Sequence, residues 1–134
     1  MPHSLVLLLL LALQGGVAKR MEHYTRCYAD EMQMGHWIIA TDFAGIDSAD
    51  TEGWVGESDA NVLYYTATIK YDTLNLADKP DWYLRQTAVH ELWHVVLWEL
   101  AELAEGYHEE WAYQIEEQLN TRIERWPLWQ RLCP

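Results

Sequence analysis

From residue 86 to residue 98 the chain is almost continuous Ala, Val, Leu and Trp, and the ionisable residues within that run are His90, Glu91 and His94. A helix that is apolar around most of its circumference is a buried helix. Burying two imidazoles and a carboxylate costs several kcal/mol unless they find partners, so whatever fold this chain adopts must bring something to meet them. His90 and His94 lie four residues apart, one helical turn above the other on the same face, and two ring nitrogens so placed can bind one metal ion. Glu91 is displaced by about 100° around the helix, beside such an ion rather than on it. A carboxylate there can take a proton from water and deliver it to a leaving amine.

The flanking sequence frames this helix. Pro80 suits the first turn and Asp81 favours the positive end of the helix dipole, so a helix is predicted over residues 82–104, with Gly106 as the break. A second helix is predicted over residues 107–125, ending at Trp126-Pro127 because proline cannot continue the hydrogen-bond ladder. Its apolar residues Trp111, Ala112, Ile115, Leu119 and Ile123 recur on one face, and the acids Glu116, Glu117 and Glu124 fall largely on the other. A catalytic zinc needs a third protein ligand and leaves its fourth position to water. Stepping back along the apolar face reaches His108 and Glu109 at the start of the second helix, with Glu110 off that face; the spacing does not choose between the first two. Glu102 and Glu105 are disfavoured by their closeness to the connection.

Upstream the sequence is β-like. Residues 37–40 read as a short strand, residues 42–59 as loop on their Gly, Ser and acidic content, and residues 61–71 as the best strand, being rich in β-branched and aromatic side chains. Strands first and helices second describe a single α+β domain, not alternating βα units. Asp42, Asp47, Asp50, Glu52, Glu57 and Asp59 offer oxygen ligands suited to calcium, but not at EF-hand spacing, and are read as a solvated acidic loop.

The pentapeptide His90-Glu91-Leu92-Trp93-His94 is the H-E-x-x-H pattern of zinc hydrolases. With its surroundings, residues 69–119 resemble the small zincin-like metallopeptidases of phage and bacterial genomes: a strand, a helix reading Gln86-Thr87-Ala88-Val89-His90-Glu91-Leu92-Trp93-His94, then a second helix opening with acids before an apolar pair. The resemblance implies a short antiparallel sheet packed on a buried active-site helix followed by a second helix. It also implies one zinc ion per chain held by His90, His94 and Glu109, with Glu91 as the general base in peptide hydrolysis. No Gly follows His94 as in metzincins, and the Glu-Ala-Asn type signature of related enzymes is absent. An oxyanion donor is sought among Tyr83, Tyr107, Tyr113 and the remaining histidines. Residues 61–71 are the candidate edge strand for an extended protein or peptide substrate. Competing readings are a non-catalytic zinc-binding protein, a virion or structural protein with an accidental motif, and a metal-dependent amide hydrolase acting on cell-wall material. The intact Glu91 speaks against a purely structural site, which needs no proton shuttle.

Twenty-one acids face nine bases, a formal net charge of −12. Such a chain lacks the cationic surface for a sequence-independent grip on nucleic acid or on an anionic membrane, and polyanionic substrates would approach it slowly. Residues 1–18 carry an unbroken apolar run from 5 to 13, followed by Gly16 and Ala18 at the spacing of a signal-peptidase site, but no Lys or Arg precedes the run. They are read either as a signal peptide or as a spurious leader, with the domain occupying residues 19–134. The run is too short to span a bilayer, so no stable membrane anchor is expected after leader removal. An exported protein follows from the first reading and a cytoplasmic one from the second. Cys27 and Cys133 would bridge on export and stay free in the cytosol; their wide separation is unlike a zinc-thiolate or redox motif.

Overall fold

The computed structural model describes the backbone of residues 2–43 and 55–134, with side chains throughout except at 2–5, 10–14, 99, 103–109, 111 and 112. The chain is α+β. Helix α1 (Pro2–Glu31) is followed by strands β1 (Ile38–Asp42), β2 (Gly56–Asn61) and β3 (Thr66–Tyr71), the one-turn α2 (Thr73–Leu76), the helical segment α3 (Asp81–Ile123) and a closing turn, α4 (Trp129–Leu132).

Helix α1 runs unbroken across residue 18, and Val17, Met21, Tyr24 and Tyr28 form a buried stripe at helical spacing. Residues 6–9, in the apolar run, are exposed, and no helix among the described residues is long and apolar enough to cross a membrane. The helix ends in a Schellman turn: Gln33 has φ 56°, its N–H bonds the Asp30 carbonyl at 3.0 Å, and the Met34 N–H bonds that of Ala29 at 2.9 Å.

The sheet order is β1-β3-β2, with β1 parallel and β2 antiparallel to β3. This corrects the expected antiparallel sheet. It also corrects the single strand over residues 61–71, since Val62 to Tyr65 form the hairpin loop between β2 and β3. Asn61 starts that loop by accepting the Leu63 N–H at 3.1 Å, an Asx turn, and Tyr65 closes it at φ 49°. Leu63 and Tyr64 are exposed, so their β propensity finds nothing to pack against, while Tyr65 sets its ring on Trp37 and His36. Conversely Gly56-Glu57-Ser58-Asp59, read as loop, belong to the strand β2: their polar side chains are those of a sheet edge. In the central β3, Ala67, Ile69 and Tyr71 alternate inward.

Asp72 caps α2 through the N–H groups of Leu74 and Asn75, and Pro80 occupies the N-cap of α3, leaving Asp81 in the first turn, paired with Arg20 at 2.8 Å. Segment α3 is not one straight rod. A rise of 1.5 Å per residue would put residues 94 and 116 about 33 Å apart, yet His94 Nδ1 lies 2.7 Å from Glu116 Oε1. The segment therefore folds back between residues 94 and 116 as two antiparallel arms, as expected, but the helical assignment continues across Gly106, where a break was expected. The first arm carries two stripes. Leu84, Ala88, Leu92 and Val95 are fully buried in a core shared with the inward faces of α1 and β3, each leucine contributing about 1.5–3 kcal/mol, while Tyr83, Thr87, His90, His94 and Trp98 line a cavity.

The C-terminal segment closes over α1. Cys27 and Cys133 form a disulfide across 106 residues, the Tyr28 hydroxyl donates to the Trp129 carbonyl, and Arg85 Nε donates to the Cys133 carbonyl at 2.8 Å.

Candidate metal centre

The cavity, about 850 Å³, opens between β2 and the two arms of α3. The first arm brings His90 and His94 to it one turn apart, as their spacing requires. The second arm brings Glu116, Glu117 and Glu124, at the i, i+1, i+8 spacing of one helical face. The acids thus point inward, correcting their assignment to the solvated side; Ile115 and Leu119, the expected core face, are each 39% exposed. The physical reason lies in the first arm: its histidines need partners more than the second arm's isolated aliphatics need cover. Sequence periodicity weighs hydrophobicity alone and misses this demand.

Glu124 Oε2 lies 2.5 Å from His90 Nδ1, and Glu116 Oε1 lies 2.7 Å from His94 Nδ1. An ionised carboxylate only accepts, so both Nδ1 atoms carry the proton, and it is Nε2 of each ring that would be left to bind a metal once deprotonated. Gln86 Nε2 in turn donates to Glu124 Oε1 at 2.9 Å. The two Nε2 atoms face each other at 3.0 Å, and Glu117 completes the group, Oε1 at 3.1 Å from His94 Nε2 and Oε2 at 4.0 Å from His90 Nε2. A tetrahedral zinc with bonds near 2.05 Å needs ligand atoms about 3.3 Å apart. Two edges of the His90, His94 and Glu117 group, 3.0 and 3.1 Å, are close to that length, all three ligand atoms lie within 4.8 Å of one another, and among the described residues no other group of three could hold a metal in this way.

Glu117 is the acid that sequence reading passed over. Of the residues expected at the third position, Glu109 and His108 lie outside the described side chains, and Glu110 lines the cavity outside the metal-ligating group. The signal for Glu117 is its place one residue from Glu116 and seven from Glu124, three acids on one helical face in a chain whose preceding apolar run holds two histidines in need of partners. Of the acidic loop expected to be solvated, Asp47, Asp50 and Glu52 lie outside the described residues, and Asp42, Glu57 and Asp59 belong to no group among the described residues that could hold a metal.

The charges are tightly coupled. Burial opposes protonation of His94, but hydrogen bonds to Glu116 and Glu117 and the charge of Glu91 outweigh it and push its pKa up to about 10. His90 is raised in the same way, burial being overcome by the hydrogen bond to Glu124 and the charge of Glu91. The hydrogen bond to His94 holds Glu117 below the usual carboxylate range. Glu91 is raised, chiefly because it is buried. It stands outside the ligand group, against β2, where Ser58 Oγ lies 2.6 Å from its Oε2. Burial and the charges of Glu117 and Glu116 raise Tyr113, which lines the same cavity and stays protonated. Tyr83 also lines it, whereas Tyr107 lies outside the described side chains. His23 and His36 are engaged elsewhere, with the Pro134 carbonyl and with Trp37 and Tyr65.

Compared with models of known protein families, with curated proteins and with solved structures, the chain matches none.

Proposed function

We propose that the protein is a zinc-dependent metallopeptidase of zincin-like type, with His90, His94 and Glu117 as zinc ligands and Glu91 as general base. The observation that carries this reading is the convergence of three ligand atoms from His90, His94 and Glu117 to within 4.8 Å of one another, with both histidines oriented by carboxylates through Nδ1. A structural zinc site fills all four positions with protein, whereas this group offers three and stands in an open cavity.

Zinc bound there would supply Lewis acidity toward water and toward a scissile carbonyl. Glu91 accepts the proton of the attacking water and returns it to the departing amine; its raised pKa suits both halves of that task. Tyr113 and Tyr83 line the cavity and are the hydroxyls we assign to the developing oxyanion. The substrate strand is not the one expected from sequence. Within residues 61–71, β3 is paired on both sides, which leaves no edge. Of the two outer strands among the described residues, β1 and β2, it is β2 that flanks the cavity, so an extended peptide would lie along it.

Zinc stoichiometry by elemental analysis after dialysis tests the centre: about one ion per chain in wild type, lost in His90→Ala and in Glu117→Ala. Activity on a peptide library is then expected to fall about 10²–10⁴-fold in Glu91→Gln with zinc retained. A folded wild type that takes up no zinc refutes the proposal.

A further inference from the structure

The inward face of β2 reads Gly56, Ser58, Ala60, three small residues at alternate positions, and the first two meet Glu91. Ser58 Oγ stands between two oxygens of that one residue, 2.6 Å from carboxylate Oε2 and 3.0 Å from the main-chain carbonyl. Its single proton goes to the ionised oxygen, the shorter and stronger bond. Gly56 gives the carboxylate its seat: a Cβ there would lie 2.4 Å from Glu91 Oε1 and 2.8 Å from both Cδ and Cγ, so any side chain at 56 would displace the carboxylate. A Glu side chain has three rotatable bonds, and catalysis needs one of its rotamers.

We propose that β2 is a positioning element for the general base, Ser58 fixing the Glu91 carboxylate by a charge-assisted hydrogen bond and Gly56 supplying the gap in which it seats. The inference rests on the metallopeptidase reading and adds to it a reason for the composition of the strand. Since β2 also flanks the cavity, the strand that would pair with an extended peptide is the one that aims the base, and both are fixed in a single frame. Neither Ser58 nor Gly56 touches the three metal-ligating atoms, so the device is separable from zinc binding.

The test uses the full chain and four single variants: Ser58→Ala, Ser58→Thr, Gly56→Ala and Glu91→Gln. Zinc stoichiometry is expected to stay at about one per chain in all of them. With a fluorogenic peptide taken from a library screen, Ser58→Ala should lower kcat about tenfold with KM within twofold, and Ser58→Thr, which keeps the hydroxyl, should recover most of it. Gly56→Ala should lower kcat about a hundredfold, the cost of misplacing a reacting group by about 1 Å. An arm independent of turnover is a double-mutant cycle on the metal-free protein. Unfolding constants of Ser58→Ala, Glu91→Gln and the double variant should depart from additivity by about tenfold, as a charge-assisted hydrogen bond requires. Unchanged kcat in Ser58→Ala, or additivity in the cycle, overturns the positioning role while an active, zinc-loaded wild type leaves the peptidase reading standing. A wild type with neither zinc nor cleavage removes that reading, and the positioning role falls with it.

Discussion

Breaking the Cys27–Cys133 bridge gives the most quantitative test of this fold. The bridge closes a loop of 106 residues, and in the chain-entropy model such a closure destabilises the unfolded ensemble by about 4.8 kcal/mol. A domain of 134 residues has an unfolding entropy of about 0.28 kcal/mol/K near its midpoint, so the double variant Cys27→Ala/Cys133→Ala should melt about 17 °C below wild type. The native contacts beside the bridge persist, because the Tyr28 hydroxyl still reaches the Trp129 carbonyl and Arg85 still reaches that of residue 133. The variant is therefore expected to fold and to melt cooperatively. Thermal unfolding followed by far-UV circular dichroism is the assay, with reduced wild type as a second route to the same state. A drop of less than about 5 °C by both routes would refute the argument that the bridge acts on the unfolded chain.

Glu116→Gln and Glu124→Gln should each weaken zinc binding 10–100-fold in competition with a chromophoric chelator, since each carboxylate orients a histidine through Nδ1; unchanged affinity in both would show that the rings need no such support. Asn120 is fully buried on the arm that carries Glu117, and neither of its side-chain polar atoms has a hydrogen-bond partner among the described residues, so Asn120→Leu should raise stability by about 1–2 kcal/mol in urea unfolding. A loss instead would mean that the amide is satisfied in solution. Gln33 holds a left-handed conformation at φ 56°, and Gln33→Gly should raise stability by about 1 kcal/mol in the same assay; no gain would place the Schellman turn elsewhere. Burial raises the Tyr28 phenol from 10.0 to about 12, so the fold favours its protonated form. That contribution is full below pH 10 and is lost as the pH climbs toward 12, so the wild-type advantage over Tyr28→Phe should shrink over that interval and hold steady between pH 7 and 9.

The first arm of α3 was legible because its constraint is local: an apolar run cannot hide His90, Glu91 and His94 without partners, and their spacing alone places two nitrogens on one face and a carboxylate beside them. The return of the chain as a second arm was legible from the glycine and the second run of helical periodicity, although the backbone is helical at Gly106 itself. What escaped depends on contacts between distant segments. Ile115 and Leu119 advertise a core face by periodicity, yet the face that turns inward is the one that satisfies the histidines, and only the partner arm reveals which demand is greater. Strand β2 is polar and glycine-led because it is an edge pressed against a helix, a circumstance that its own residues share with loops. Val62, Tyr64 and Tyr65 favour strand locally, but the Asx turn at Asn61 and the left-handed backbone of Tyr65 break it.

The division of labour across the hairpin has a further consequence. The imidazoles belong to one arm and the carboxylates bound to them to the other, so a single peptide-bond cut near the reversal would divide the metal-ligating set between two polypeptides. Those polypeptides would not part. The amino-terminal piece holds Cys27 and the carboxyl-terminal piece holds Cys133, and the bridge would keep the two halves at the high effective concentration of an intramolecular pair. A nicked molecule would then migrate as one band without reductant and as two with it, and its capacity to take up zinc would become dependent on the redox state of a bond at the far end of the chain.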